Sequence, residues 1–210
     1  MLGKVFDNIL AGNAPGTVQA VEEALNADHD PGDILNQAMI AAMTEIGRRY
    51  EVAEVFVPEM LIAARAMQAG LGVLRPHLLD ANIQPMGQVV IGTVEGDLHD
   101  IGKNLVGMML EGAGFEVFDL GTDVKAQAFV EAVKEHQPTV LGMSALLTTT
   151  MVNMRKTIAA LEEAGVRDNV TVMVGGAPLT QKFADEIGAD IFARDASSAA
   201  KLARALVAQP

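Results

Sequence analysis

The chain contains no cysteine and no tryptophan, and only one tyrosine and seven phenylalanines among its 210 residues. The missing cysteine excludes disulfides, thiolate metal sites, iron–sulfur clusters and cysteine nucleophiles. Basic residues are also few, 15 Lys and Arg against 27 Asp and Glu, for a formal charge of −12. Nucleic acids and anionic membrane surfaces both select clustered Lys and Arg, so neither is an expected partner. The acidity is shared by the two halves of the chain, with no charged tail. No apolar run is long enough to span a bilayer. The opening Met1-Leu2-Gly3-Lys4-Val5-Phe6-Asp7 has an early Asp and none of the character of a signal peptide. A cytoplasmic location is the expectation. What is abundant is aliphatic: half the residues are hydrophobic and 12 are Met, enough for a substantial core with helix-rich, adaptable packing.

Two rhythms divide the chain. Up to about His77, apolar residues recur at three- and four-residue steps, as in Val18, Val21 and Leu25 and again in Ile34, Ala38, Ala41, Ala42 and Ile46. The break at Asp28–Asp33 predicts a helix capped by Asp30 with Pro31 in its first position. Another helix is expected from Val57-Pro58-Glu59 through Leu61, Ala64, Met67 and Leu71 to about Leu74, which makes four helices in a bundle. From Met86 short apolar runs alternate with helical segments. They are Val89–Ile91, Phe115–Phe118, Val140–Met143, Val170–Val174 and Asp190–Phe192. Their spacing suits right-handed strand–helix–strand units and a five-stranded parallel sheet covered on both faces. The expected fold class is therefore α/β: an N-terminal four-helix bundle cap over residues 1–85, then a flavodoxin-like (Rossmann-like) sheet domain over 86–210. Leu78 to Gln88, with its Pro and Gly, reads as the linker.

In open parallel sheets ligands sit beyond the carboxyl ends of the strands, beside the first strand. There the chain reads Gly92-Thr93-Val94-Glu95-Gly96-Asp97-Leu98-His99-Asp100-Ile101-Gly102-Lys103-Asn104. Asp97 and His99 are two apart, so in extended backbone they point the same way. A carboxylate on one imidazole nitrogen fixes the tautomer and raises basicity, which a metal-bound histidine requires. Gly96 and Gly102 allow a bulky ligand near the backbone, and the helix opening near Gly102 directs free amides toward it. Other readings use the same residues. His99 can be an ordinary loop histidine with Asp97 as a helix cap. A Gly-Asp-x-His phosphoesterase needs further ligands at strand ends, and His29, His77 and His136 are not there. A hydrolase built on Ser144 lacks the second Gly of a nucleophile elbow and has His99 too early. No Gly-x-Gly-x-x-Gly follows the first strand to mark a dinucleotide site.

Asp97-x-His99-x-x-Gly102, Ser144-x-Leu146 and Gly175-Gly176 stand in that order at three successive strand ends. Together they resemble the signature of the corrinoid (cobalamin-binding) methyl-carrier proteins of methyltransferase systems and the cobalamin module of methionine synthase. Glu45-Ile46-Gly47-Arg48-Arg49-Tyr50 and Val55-Phe56-Val57-Pro58-Glu59-Met60 are similar to the helical cap of that family, so the resemblance covers most of the chain. Phe192 stands where the family often has Tyr. The resemblance implies a cobalamin or related corrinoid, in the methylcobalamin form during turnover, with its own base displaced. It implies His99 as the axial cobalt ligand, Asp97 on its other nitrogen and Ser144 continuing that relay. Asp100, Ile101, Gly102, Leu146, Thr148, Gly175 and Gly176 would contact the cofactor, with Gly142 beside the slot for its tail, and Phe56 would cover its upper face. Leu61 and Met67 read instead as bundle core. The implied partners are a substrate-specific methyltransferase, a methylcorrinoid-dependent acceptor methyltransferase using a thiol or folate, and a reductive activator protein. An adenosylcobalamin mutase subunit or a cobalamin-sensing regulator shares the signatures. Phe56-Val57-Pro58 favours the carrier over the mutase, and the acidic helices disfavour a DNA-binding regulator.

Overall fold

The computed structural model describes residues 1–207; residues 208–210, the end of the second expected domain, lie outside the described residues. The chain forms two compact units. One takes Met1–Pro85 with Glu111–Gly114, the other Met86–Leu110 and the chain from Phe115 onward.

The first unit is helical. It comprises α1 (Leu2–Leu10), α2 (Ala14–Asn26), α3 (Pro31–Asp33), a π-helical stretch Ile34–Ile40 that runs straight into α4 (Ala41–Glu51), and α5 (Val57–Asp80). Because Pro31 to Glu51 is one continuous rod, the rods number the four expected. Asp30 caps as predicted: its Oδ1 accepts the amides of Gly32 at 2.8 Å and Asp33 at 3.1 Å. The core is aliphatic and sulfur-rich, with Ile9, Val21, Ile34, Met39, Ala42, Met60, Met67 and Leu74 all buried. Met67 is core, as its spacing indicated.

The main departure is at the end of α5, which continues six residues past Leu74 to Asp80 with Pro76 inside it. Proline removes one backbone donor and crowds the carbonyl four residues earlier, but Leu74 and Leu78 are both buried and their burial keeps the last turns helical. The connection to the sheet is therefore residues 81–87, shorter than the expected linker.

The second unit alternates strand and helix: β1 (Gln88–Thr93), α6 (Ile101–Gly112), β2 (Glu116–Asp119), α7 (Ala126–His136), β3 (Val140–Ser144), α8 (Val152–Glu163), β4 (Thr171–Gly175), α9 (Gln181–Ile187), β5 (Ile191–Ala193) and α10 (Ala196–Val207). The strands are parallel in the flavodoxin-like order β2-β1-β3-β4-β5. Val89, Val90, Leu141, Val172 and Val174 are fully buried, as a sheet covered on both faces requires. The register sets Thr93, Ser144, Gly175 and Ala193 in one row across four strands. Three sequence signatures thus end at the same level, on either side of the switch point between β1 and β3.

Candidate cofactor site at the carboxyl edge of the sheet

The loop from β1 to α6 begins with a tight turn in which the Asp97 amide reaches the Val94 carbonyl at 3.1 Å. Gly96 has φ +81° there, a left-handed conformation open to glycine at little cost. The turn buries the Asp97 side chain completely while the His99 side chain stays 52% exposed.

The Asp97 carboxylate is fully occupied. Oδ1 accepts the His99 amide at 3.1 Å and lies 2.7 Å from His99 Nδ1. Oδ2 accepts the amides of Leu146 at 2.8 Å and Leu147 at 3.2 Å and the Thr150 hydroxyl at 2.7 Å. Burial alone would raise the carboxyl pKa. The Thr150 hydroxyl, the Leu146 amide and His99 outweigh it and hold the group well below the ordinary carboxylate range. An ionised carboxylate only accepts, so Nδ1 carries a proton, and in the neutral imidazole the lone pair is on Nε2. Among the described residues Nε2 takes no hydrogen bond.

Several apolar side chains of the two loops are exposed. Leu98 is 73% and Ile101 77% exposed, and Leu146 and Leu147 show about two-fifths of their surface. A Cβ at Gly102 would meet no atom within 4 Å. A half-exposed imidazole whose Nδ1 is held by a buried carboxylate, with exposed apolar side chains on the same loops, fits a cofactor whose metal takes a single protein ligand. It does not fit a two-metal phosphoesterase: among the described residues no three His, Asp or Glu side chains converge.

Two expectations need correction. Ser144 is not among Asp97's partners; it is half-buried at the end of β3, where its carbonyl accepts the Val94 amide at 3.0 Å. The hydroxyl on Asp97 is that of Thr150, six residues on. Ser144 sits on the strand, whereas the turn after β3 folds Thr150 back onto the carboxylate. Nor does Gly142 border open space. It is buried in mid-strand, where a Cβ would lie 3.2 Å from Ile91 Cγ1.

The other expected residues lie as follows. Asp100 is exposed and accepts Asn104 Nδ2 at 3.1 Å. Thr148 is exposed on the β3–α8 loop. Gly175 and Gly176 are half-buried at the end of β4. Gly176 has φ +136°, and a Cβ on it would stand 1.9 Å from the Ala145 carbonyl oxygen, so its first requirement is close backbone approach. Phe56 belongs to the helical unit. It is 61% exposed, and its amide donates to Glu59 Oε2 at 3.0 Å to start α5.

Several further polar residues brace the loop. The buried Thr93 hydroxyl donates to the His99 carbonyl at 3.0 Å, and Asn153 Nδ2 to the Glu95 carbonyl at 2.7 Å. Lys103, buried in the first turn of α6, pairs with Asp119 and donates to Asn104 Oδ1 at 2.7 Å. Thr93 and Lys103 lie within the motif's own stretch, but nothing in the sequence marks their inward side.

Comparison with known proteins shows the family. Residues 87–203 match the model of the B12 binding domain, and residues 2–75 match a second B12 binding domain model. The chain is 43% identical over 209 residues to trimethylamine corrinoid protein 1 of Methanosarcina acetivorans, covering 99% of this chain and 97% of the relative. It is 45% identical over 193 residues to the dimethylamine corrinoid protein of Methanosarcina barkeri, covering 91% of each. A chain of the methanol:cobalamin methyltransferase complex MtaBC from Methanosarcina barkeri superposes with a TM-score of 0.90 at 31% identity, over 100% of this chain and 80% of that one. The chain belongs to the B12-binding corrinoid protein family. Its cofactor is a corrinoid. Among the described residues no helix is long and apolar enough to cross a membrane.

Proposed function

We propose that this protein is a cytoplasmic methyl carrier that shuttles between a substrate-specific methyltransferase and a second methyltransferase serving a thiol or folate. Residues 1–85 would act as a helical domain and 86–210 as the corrinoid-binding domain, in which His99 Nε2 would hold the cobalt. The bound corrinoid supplies a metal centre that can take up and release a methyl group. The protein's part is to hold one imidazole in one tautomer. Asp97 fixes the Nδ1 proton, and the Leu146 and Leu147 amides and Thr150 fix Asp97. The observation that carries this reading is the buried, fully bonded Asp97 carboxylate 2.7 Å from Nδ1 of a half-exposed His99.

The names of the two amine-related relatives support a methylated amine as the methyl donor. A reductive activator is a further expected partner, because a carrier whose metal becomes oxidised must be returned to service.

Reconstitution tests the proposal. Purified protein mixed with hydroxocobalamin should stay coloured through desalting. The His99→Ala variant should shift the visible spectrum toward a water-ligated form. Colourless wild-type protein, or an unchanged spectrum in the variant, contradicts the assignment. Methyl-transfer assays that pair the loaded protein with amine- or methanol-specific methyltransferases then decide the donor class.

A further inference from the structure

The loop carrying His99 is held from two sides. On the β3 side most contacts are to the Asp97 side chain, with Asn153 Nδ2 on the Glu95 carbonyl beside them. On the β2 side one residue grips the backbone. Asp123, in the β2–α7 connection, donates its amide to the Asp97 carbonyl at 3.0 Å, and its Oδ1 accepts the Gly96 amide at 2.7 Å. The two bonds bracket the Gly96–Asp97 dipeptide and so fix where the turn starts the chain toward His99. Asp123 itself has φ +55°, the left-handed region, which Asp tolerates better than most L residues. The connection is anchored there. The Thr93 amide reaches the Gly121 carbonyl at 3.0 Å, and the Val124 amide reaches the Thr93 carbonyl at 2.9 Å.

We infer that Asp123 is a positioning residue for the axial histidine, acting through the Gly96–Asp97 backbone and touching neither the metal nor the macrocycle. This rests on the His99 assignment above. A ligating side chain must be held to about half an ångström, and sites on loops reach that only when surrounding bonds fix them. Asp97 fixes the imidazole against the carboxylate. Asp123 fixes the carboxylate's own backbone against the sheet.

The test uses the full chain with hydroxocobalamin and the variants Asp123→Gly, Asp123→Asn and His99→Ala. Asp123→Gly keeps the left-handed backbone without strain and the amide bond to Asp97, but removes the acceptor for Gly96. Asn keeps an acceptor oxygen and tolerates the conformation. Asp123→Gly should bind the cofactor about fivefold more weakly, show a smaller His-ligated fraction in the visible spectrum, and exchange the Gly96 amide faster in the cofactor-free protein. Asp123→Asn should restore most of all three, with thermal midpoints close to wild type throughout. Wild-type affinity and spectrum in Asp123→Gly overturn the inference, and so does an equal loss in Asp123→Asn. If His99→Ala itself retains the wild-type spectrum, the axial assignment has failed and the role of Asp123 falls with it. If His99→Ala changes the spectrum while Asp123→Gly does not, His99 stands and only Asp123 is refuted.

Discussion

The helical unit and the sheet unit each hold one carboxylate far from its ordinary behaviour, by opposite means. On α4, the half-buried Glu45 lies between two more exposed cations, Arg48 Nε at 2.7 Å and Arg49 Nε at 2.8 Å. Hydrogen bonds from first Arg48 and then Arg49 bring its pKa down to about 2. In the sheet unit Asp97 has no such cation. It is buried, and amides, a hydroxyl and an imidazole overcome the burial. A similar shift therefore has different structural meaning. The partly exposed cluster is screened by water and salt and holds little in place. The buried carboxylate is the acceptor around which two loops close, and its loss strands several donors at once.

Substitutions can break that comparison. The largest effect is expected at Gly176, where Gly176→Ala sets a Cβ against the Ala145 carbonyl in a backbone region closed to alanine. A loss of about 3 kcal/mol or more in denaturant unfolding is the expected outcome. Asp97→Asn keeps the shape of the side chain but turns an NH2 group toward donors, and should cost about 2–3 kcal/mol by the same measurement. Thr150→Val removes one hydrogen bond to a charged acceptor and should cost about 1.5 kcal/mol, against less than about 0.5 kcal/mol for Ser144→Ala. Equal effects at 144 and 150 would return Ser144 to the relay.

The smallest effect belongs to Glu45. A carboxyl depressed in the folded state contributes stability that is complete above its unfolded value near 4.5 and is lost as pH falls through about 2. Glu45→Gln should therefore lie slightly below wild type at neutral pH and converge on it in acid. The Glu45 carboxyl carbon should titrate with a midpoint near 2 by NMR. An ordinary midpoint would show that the arginine cluster does not hold it.

Much of this was legible before any coordinates. Short apolar runs spaced by helical segments marked all five strands, most strongly the central β1, β3 and β4, where burial on both faces leaves little choice of residue. Asp97 and His99 were legible because a two-residue spacing settles which way side chains point when the backbone is extended. What was not legible depended on turns and on distant partners. Three threonines stand together at 148–150, and only the geometry of the β3–α8 turn selects Thr150. Asp123 lies 27 residues from Gly96 and reads in sequence as one more surface acid. The helix expected to end near Leu74 continues to Asp80, because Leu78 is buried as well.

The axial role of His99 can be measured directly by electron paramagnetic resonance of the cobalt(II) form, bound to protein carrying heavy-nitrogen-labelled histidine. If the Nε2 lone pair meets the metal, each cobalt line splits as a triplet with ordinary histidine and as a doublet with the label, and His99→Ala abolishes the splitting. A triplet that survives labelling would place the cofactor's own base on cobalt and contradict the account.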